Sequence, residues 1–300
     1  MKLKAALAAF MCGLACGAFA AAAQTAKAGR IVIEYVEPLN PAHKPIYDLL
    51  KKHQALERVQ KLLTPIRWPR TLRLELKGCE GESDAWYEDA VVTVCYEYLH
   101  DAWRNANSSK RPAWIAREDA FIGPLLDIFL HEASHAIFDL FKIPLLGREE
   151  DAADQLAAYF VLQSPKEARR GLILGGAYTW ASELKVRSAR DLSRRRFEVG
   201  RHITFADEHG TPAQRLYNLL CIAYGSDKEL FADVVVKGYL PQKRAEMCED
   251  EYKQIDFAYR KLIARHVHRE GTEVAIARRK REVTPVRAPA PRHRPSLGLQ

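Results

Sequence analysis

The chain has 300 residues, of which 48% are hydrophobic, and after removal of a targeting segment this length fits one large domain or two small ones. No stretch is long and apolar enough for a comfortable membrane span, which argues against an integral membrane protein. The formal net charge is +8, but much of it lies in a C-terminal tail, so the charge does not indicate a nucleic-acid partner.

The N-terminus has the pattern of a targeting segment. Lys2 and Lys4 give it a basic start, Ala5–Phe19 is apolar, and alanines follow as a small-residue cleavage site. Residues 1–23 are therefore predicted to be a signal peptide, and the mature protein is expected to be exported to the periplasm or secreted.

Four cysteines remain after the signal peptide, and export places them in an oxidising compartment. They are Cys79, Cys95, Cys221 and Cys248. Three pairings are formally possible, and local chain closure favours Cys79–Cys95 and Cys221–Cys248. Buried free thiols are the alternative.

Short segments with strand-like patterns come first, and helical patterns follow. The predicted strands are Ile31–Val36, Thr71–Leu76, Ala85–Tyr87 and Val91–Tyr96, and one amphipathic helix, Ile46–Leu63, lies between the first two. Helices continue to about Val267. This segregated order predicts one α+β domain over residues 24–268.

A strongly apolar run, Leu125–Phe141, predicts the helix around which the chain is organised. Pro124 suits the first helical position, and Pro144 ends the segment because the residue before a proline is disfavoured in a helix. The helix is therefore expected from about Pro124 to about Phe141.

Residues 131–135 in this helix read H-E-x-x-H. His131 and His135 are four residues apart, so they share a face and can ligate one metal ion. Glu132 lies to the side, where it can reach a metal-activated water without ligating the metal. This is the arrangement that a zinc hydrolase needs.

A second helix can supply the third ligand. The segment Gly147–Phe160 is helical in pattern, and a short turn lets it fold back on the first helix. Glu150 can complete a His₂Glu site, and Asp154, one turn later, can accept the second N–H of a ligand histidine. The alternative is that these carboxylates only complement the dipole of a first helical turn.

A candidate for stabilising the oxyanion of the reaction lies downstream. His209 precedes Thr211–Gln214, which reads as a helix N-cap with an N1 proline and a capping-box glutamine. His209, oriented by Asp207, is the first choice for the oxyanion donor, and Tyr159 and Tyr178 are weaker ones. The alternative is that His209 is an ordinary loop residue.

The last segment, residues 269–300, is rich in arginine and proline and cannot build a core. It is predicted to be a disordered basic tail. Weak contact with anionic envelope surfaces is possible for such a tail, and a purely solvated tail is the alternative.

Taken together, these motifs resemble the gluzincin metallopeptidases, and more closely a bacterial metallopeptidase family of unassigned function. The resemblance runs from about Ile31 to Val267 and rests on Asp84–Tyr87, Val94–Glu97, His131–His135, Gly147–Gln155, Asp207–His209, Cys221–Gly225 and Leu240–Pro241. It implies a zincin-like fold, in which a small sheet with an edge strand precedes the H-E-x-x-H helix and the C-terminal half is mostly helical. The metzincin pattern does not match, because Phe138 and Phe141 stand where a glycine and a third histidine are needed.

The edge strand of gluzincins pairs with the backbone of the substrate, and the resemblance places Asp84, Ala85 and Trp86 on it. Gluzincins often have an asparagine where this chain has Asp84, and a carboxylate cannot donate a hydrogen bond as an amide does. An open edge is still a natural place for an extended peptide to add. A plain structural hairpin is the alternative.

The sequence thus predicts an exported zinc metallopeptidase that hydrolyses peptide bonds of a peptide or protein substrate. His131, His135 and Glu150 are the predicted zinc ligands, and Glu132 is the predicted general base. One alternative is a zincin-fold binding or structural module that keeps the metal site without turnover. Another is that the two helices only pack together and bind no metal.

Overall fold

The computed structural model of the chain describes residues 29–186 and 208–268. Within these residues a small mixed sheet is followed by helices, so the predicted α+β class is confirmed. The predicted signal peptide, the predicted tail and Asp207 lie outside the described residues, and the limits of the domain stay a prediction.

Four strands form the sheet, in the order β1-β2-β4-β3. Strands β1 (Ile31–Tyr35), β2 (Leu72–Lys77) and β4 (Val91–Cys95) are parallel, and β3 (Ala85–Glu88) runs antiparallel to β4 at one edge. The strict alternation of β2 buries its leucines on one face. All four predicted strands form, and one of them is the predicted open edge.

The helical segment between β1 and β2 is broken, so the prediction of one helix over Ile46–Leu63 is wrong. Helix α1 spans Lys44–Lys52 and α2 spans Ala55–Leu63. Gln54 between them has φ of 52°, a left-handed conformation that a helix interior does not allow. The break lets both helices bury their apolar faces, which a pattern of hydrophobic residues alone does not reveal.

The central helix is longer than predicted. After α3 (Tyr96–Ala106), helix α4 spans Arg117–Leu140, and Pro124 lies inside it rather than at its first turn. Gly123, just before the proline, packs so closely on a later helix that an added Cβ would lie 2.6 Å from the carbonyl oxygen of Leu172. Tertiary packing here outweighs the local preference against proline in a helix.

The remaining helices complete one hydrophobic core with the sheet and α4. They are α5 (Glu149–Leu162), α6 (Lys166–Val186), α7 (Pro212–Ser226), α8 (Ala232–Val236), α9 (Gln242–Ala245) and α10 (Cys248–Ala258). Helix α4 contacts α3, α5 and α6, so it is the central element of the helical layer. Among the described residues, no helix is both long enough and apolar enough to cross a membrane.

Two disulfides cross-link the described part of the chain, and both are the predicted pairs. Cys79–Cys95 joins the loop after β2 to the end of β4, with 5.6 Å between the Cα atoms. Cys221–Cys248 joins α7 to the start of α10, with 5.0 Å between the Cα atoms. Both are short closures in sequence, as expected from local pairing.

Candidate metal centre

The site is built on two helices that pack face to face. Helix α4 presents His131 and His135 on one side, and α5 begins at Glu149 after a short turn and folds back along α4. His131 is only 2% exposed, which is unusual for an ionisable side chain and requires polar partners.

Three potential ligand atoms converge between these helices. Nε2 of His131 lies 3.0 Å from Oε2 of Glu150 and 3.2 Å from Nε2 of His135. Nε2 of His135 lies 3.5 Å from the same Glu150 oxygen. Two atoms bound at about 2.1 Å in a tetrahedral zinc site are about 3.4 Å apart, so the spacing of this group fits one metal ion.

The other nitrogen of each imidazole is held by a carboxylate. Nδ1 of His131 lies 2.8 Å from Oδ1 of Asp154, as the sequence predicted, and Nδ1 of His135 lies 2.9 Å from Oε1 of Glu149. A protonated Nδ1 that donates to a carboxylate leaves the lone pair of Nε2 facing inward, as metal-ligating histidines require. The residues therefore fit a metal ion both in donor type and in orientation.

The pKa values show how strongly these groups are coupled. Burial lowers the pKa of His131, but hydrogen bonds with Asp154 and Glu150 outweigh it and raise the pKa to about 9. Burial acts to raise the pKa of Glu150, yet its hydrogen bonds to three histidines hold it well below its usual range. A proton therefore competes with a metal ion for the inward lone pair of His131 near neutral pH.

Glu132 lies beside this group without belonging to the convergent atoms. It is 5% exposed, and burial raises its pKa although the charges of His131 and His135 act to lower it. A buried carboxylate with a raised pKa is better matched to accepting a proton near neutral pH than an exposed one is.

A family model described as "Putative metallopeptidase" matches residues 35–263. The chain belongs to this family. No curated protein and no solved structure matches it.

Membership of the metallopeptidase family covers the whole functional region. The matched residues include strands β2, β3 and β4, both ligand-bearing helices and the segment around His209. Membership of this family indicates a metal-dependent hydrolase in general terms. The group of His131, His135 and Glu150 is where this chain can hold a metal ion.

His209, predicted as the oxyanion donor, does lie at the centre. Its Nε2 is 2.8 Å from Oε2 of Glu150, and its ring stacks on that of His131 with 5.9 Å between centroids. The predicted cap that follows it forms, because the Thr211 side chain and Gln214 make a reciprocal capping box at the start of α7. This cap fixes where the chain enters α7 and so where His209 sits.

The weaker oxyanion candidates have other partners. The hydroxyl of Tyr159 donates to Asp256, and that of Tyr178 donates to the carbonyl oxygen of Asn105. Both side chains are almost fully buried in the helical core. Neither hydroxyl hydrogen-bonds to His131 or His135.

The predicted substrate strand runs beside the second half of α4. The hydroxyl of Tyr87 on β3 donates to Oδ2 of Asp139, which is one helical turn beyond His135. Asp84 precedes the strand, is exposed, and accepts the backbone N–H of Ala85 on its own side chain. The edge strand and the ligand-bearing helix are therefore neighbours.

Two residues of the centre were missed by sequence reasoning. The spacing points to Glu150 as the ligand and not to its neighbour Glu149, although an acidic pair at a helix start is a usable signal. Arg215 on α7 donates to both oxygens of Asp154. No local pattern marks it, because its partner is distant in sequence.

Proposed function

We propose that this protein is an exported zinc-dependent peptidase with a zincin-like fold. The observation that carries the proposal is the orientation of two imidazoles, one buried and one partly buried: Nε2 of His131 and of His135 face Glu150, while each Nδ1 is held by a carboxylate. Glu132, buried beside them, is the proposed general base.

Zinc is the proposed metal because two imidazoles and one carboxylate are a common donor set for catalytic zinc. A zinc ion held by His131, His135 and Glu150 would act as a Lewis acid on the peptide carbonyl and on water. Glu149 and Asp154 would hold the two imidazoles in the tautomer that ligation needs.

The carboxylate of Glu132 would carry the proton of the reaction. It accepts a proton from the attacking water as the oxygen adds to the peptide carbonyl carbon, and it then delivers that proton to the leaving nitrogen as the C–N bond breaks. His209 is proposed to donate a hydrogen bond to the oxyanion that forms, with Asp207 orienting it.

Strand β3 is the proposed docking edge for the substrate. An extended peptide can add to the free side of Ala85 and Trp86, next to α4, as an antiparallel strand. Asp84 would offer oxygen atoms there, so this end of the cleft would favour donor groups on the substrate.

Export is proposed on two grounds. The first is the signal-like N-terminal sequence. The second is the pair of disulfides, which form and persist in oxidising compartments such as the periplasm or the extracellular space.

The test is a digest of a broad peptide library by purified full-length protein, with zinc content measured on the same sample. The expected result is about one zinc per chain, cleavage that stops when a chelator removes zinc, and recovery when zinc is restored. A protein that binds zinc but cleaves no peptide would favour the alternative, a zincin-fold binding module. A protein that binds no metal would refute both.

A further inference from the structure

A largely buried arginine binds the carboxylate that contacts His131. Arg215 on α7 has only 11% of its side chain exposed. Its Nε donates to Oδ2 of Asp154 at 2.8 Å, and its Nη2 donates to Oδ1 at 2.5 Å. This two-point contact matches the planar fork of a guanidinium to both oxygens of a carboxylate.

The guanidinium is itself held from the other side. Its central carbon lies 3.9 Å from the centroid of the Trp180 ring on α6, and Trp180 is buried. Stacking on an aromatic face fixes the plane of an arginine side chain, which a lysine ammonium could not match. Trp180 and Arg215 also line a small cavity with Asp127 and Asp154.

One oxygen of Asp154 contacts both Arg215 and the proposed metal ligand His131. Oδ1 of Asp154 accepts from Arg215 and also lies 2.8 Å from Nδ1 of His131. A carboxylate bound on both oxygens cannot rotate about its last bond without breaking a contact. The direction of the His131 imidazole is therefore set by a continuous series of contacts that starts at Trp180.

We propose that Arg215 is a positioning residue of the metal centre, which acts on metal binding by fixing Asp154 and, through it, His131. The inference rests on the proposed function only in taking His131 as a metal ligand. It assigns a role to a residue whose hydrogen bonds go to Asp154 rather than to His131, His135 or Glu150.

The experiment measures zinc dissociation constants of the full-length protein by competition with a chromophoric chelator. Outer partners of metal ligands typically contribute about 10–100-fold to metal affinity, and a loss of that size is expected for Arg215→Gln. Arg215→Lys keeps the positive charge but loses the planar two-point contact of the guanidinium. Its zinc dissociation constant should lie between those of the wild type and Arg215→Gln. If Arg215→Gln fails to fold, the zinc dissociation constant of Arg215→Lys becomes the test. A constant equal to that of the wild type would then overturn the proposal.

Arg244 offers the matched control. It also makes a two-point contact with a carboxylate, through Nη1 and Nη2 to Glu251 at 2.6 and 2.7 Å, and among the described residues it does not hydrogen-bond to Asp154 or to a histidine. Arg244→Gln should lower the melting temperature measured in chelator, as Arg215→Gln does, but it should leave the zinc dissociation constant unchanged. A zinc constant that shifts equally in both variants would mean that the effect is general destabilisation, and it would overturn the proposal.

A double-mutant cycle tests the route through Asp154. In an Asp154→Asn background, Arg215→Gln should have little further effect on zinc affinity, because the carboxylate it positions is gone. If Arg215→Gln lowered zinc affinity by the same factor in both backgrounds, Arg215 would act independently of Asp154, and the inference would be overturned. If the wild-type protein had no zinc affinity, the proposed function itself would fail, which is a distinct outcome.

Discussion

Nδ1 of His131 lies 2.8 Å from Oδ1 of Asp154, so the ring on α4 is oriented by a carboxylate on α5. Nε2 of the same ring lies 3.0 Å from Oε2 of Glu150, one helical turn before Asp154. One face of α5 therefore both orients this imidazole and supplies its partner ligand. The relative placement of two helices, rather than either helix alone, makes the centre.

Replacing Asp154 should weaken metal binding without removing a ligand. Asp154→Asn loses the negative charge and the forked contact with Arg215, so we expect zinc affinity to fall by about 10–100-fold. Competition with a chelator measures this. The control is Asp151→Asn on the same helix, whose carboxylate is 34% exposed and pairs with Arg148 rather than with a histidine. Equal zinc affinities for wild type and Asp154→Asn would show that Asp154 does not support the site.

Zinc binding should strengthen as pH rises. The pKa of His131 in the metal-free protein is raised to about 9, above its ordinary value near 6.5. Zinc needs the neutral imidazole, so below that pKa each bound metal must displace a proton, and affinity should rise by up to about tenfold per pH unit for each proton displaced. The increase should level off near the pKa of His131.

The measurement is the apparent zinc dissociation constant between pH 6 and pH 9.5, a range chosen around the typical histidine pKa of about 6.5 and the raised one. The double variant His131→Ala, His135→Ala should bind no zinc at any pH. An affinity that does not vary with pH, or a double variant with wild-type zinc content, would rule out ligation by these histidines.

The sequence predicted those parts of the site that depend on the spacing of residues close together in the chain. His131 and His135 are four residues apart, as are Glu150 and Asp154, and a helix converts that spacing into a shared face whatever surrounds it. The short turn between α4 and α5 then leaves one way for the two faces to meet. The strands and both disulfides were predictable for the same reason, since each depends on near neighbours in the chain.

The features that were missed depend on contacts between distant residues. Arg215 and Asp154 are 61 positions apart, and no periodicity or motif links them. The first turns of α4 before Pro124 were missed because the packing of Gly123 on α6 outweighs a local breaker signal. The break at Gln54 likewise follows from how α1 and α2 each reach the core.

The disulfides should contribute measurably to stability in exported protein. Replacing Cys221 and Cys248 with serine should lower the free energy of unfolding by about 2–4 kcal/mol, chiefly because the unfolded chain is no longer cross-linked. Denaturant unfolding measures the loss, and the pair Cys79→Ser, Cys95→Ser gives the comparison. Mass spectrometry without reductant should find no alkylatable thiol in exported wild-type protein, and four such thiols would refute both bonds.

The sharpest test of enzyme against binding module turns on Glu132. Glu132→Gln keeps the shape and hydrogen bonding of the side chain but cannot accept a proton. We expect turnover to fall by at least about 10²–10⁴-fold, the usual loss on removing a general base, which corresponds to roughly 3–5 kcal/mol of barrier. Zinc content should stay near that of wild type, because Glu132 is outside the convergent group of His131, His135 and Glu150.

Glu150→Gln is the matched comparison, because it makes the same chemical change in a residue that faces both imidazoles. It removes a charged ligand, so zinc affinity and activity should fall together, and added zinc should restore part of the activity. Added zinc should not restore Glu132→Gln, whose defect is in proton transfer. A Glu132→Gln protein that loses its zinc would make Glu132 a ligand or a structural support, and one that cleaves at the wild-type rate would place catalysis away from α4.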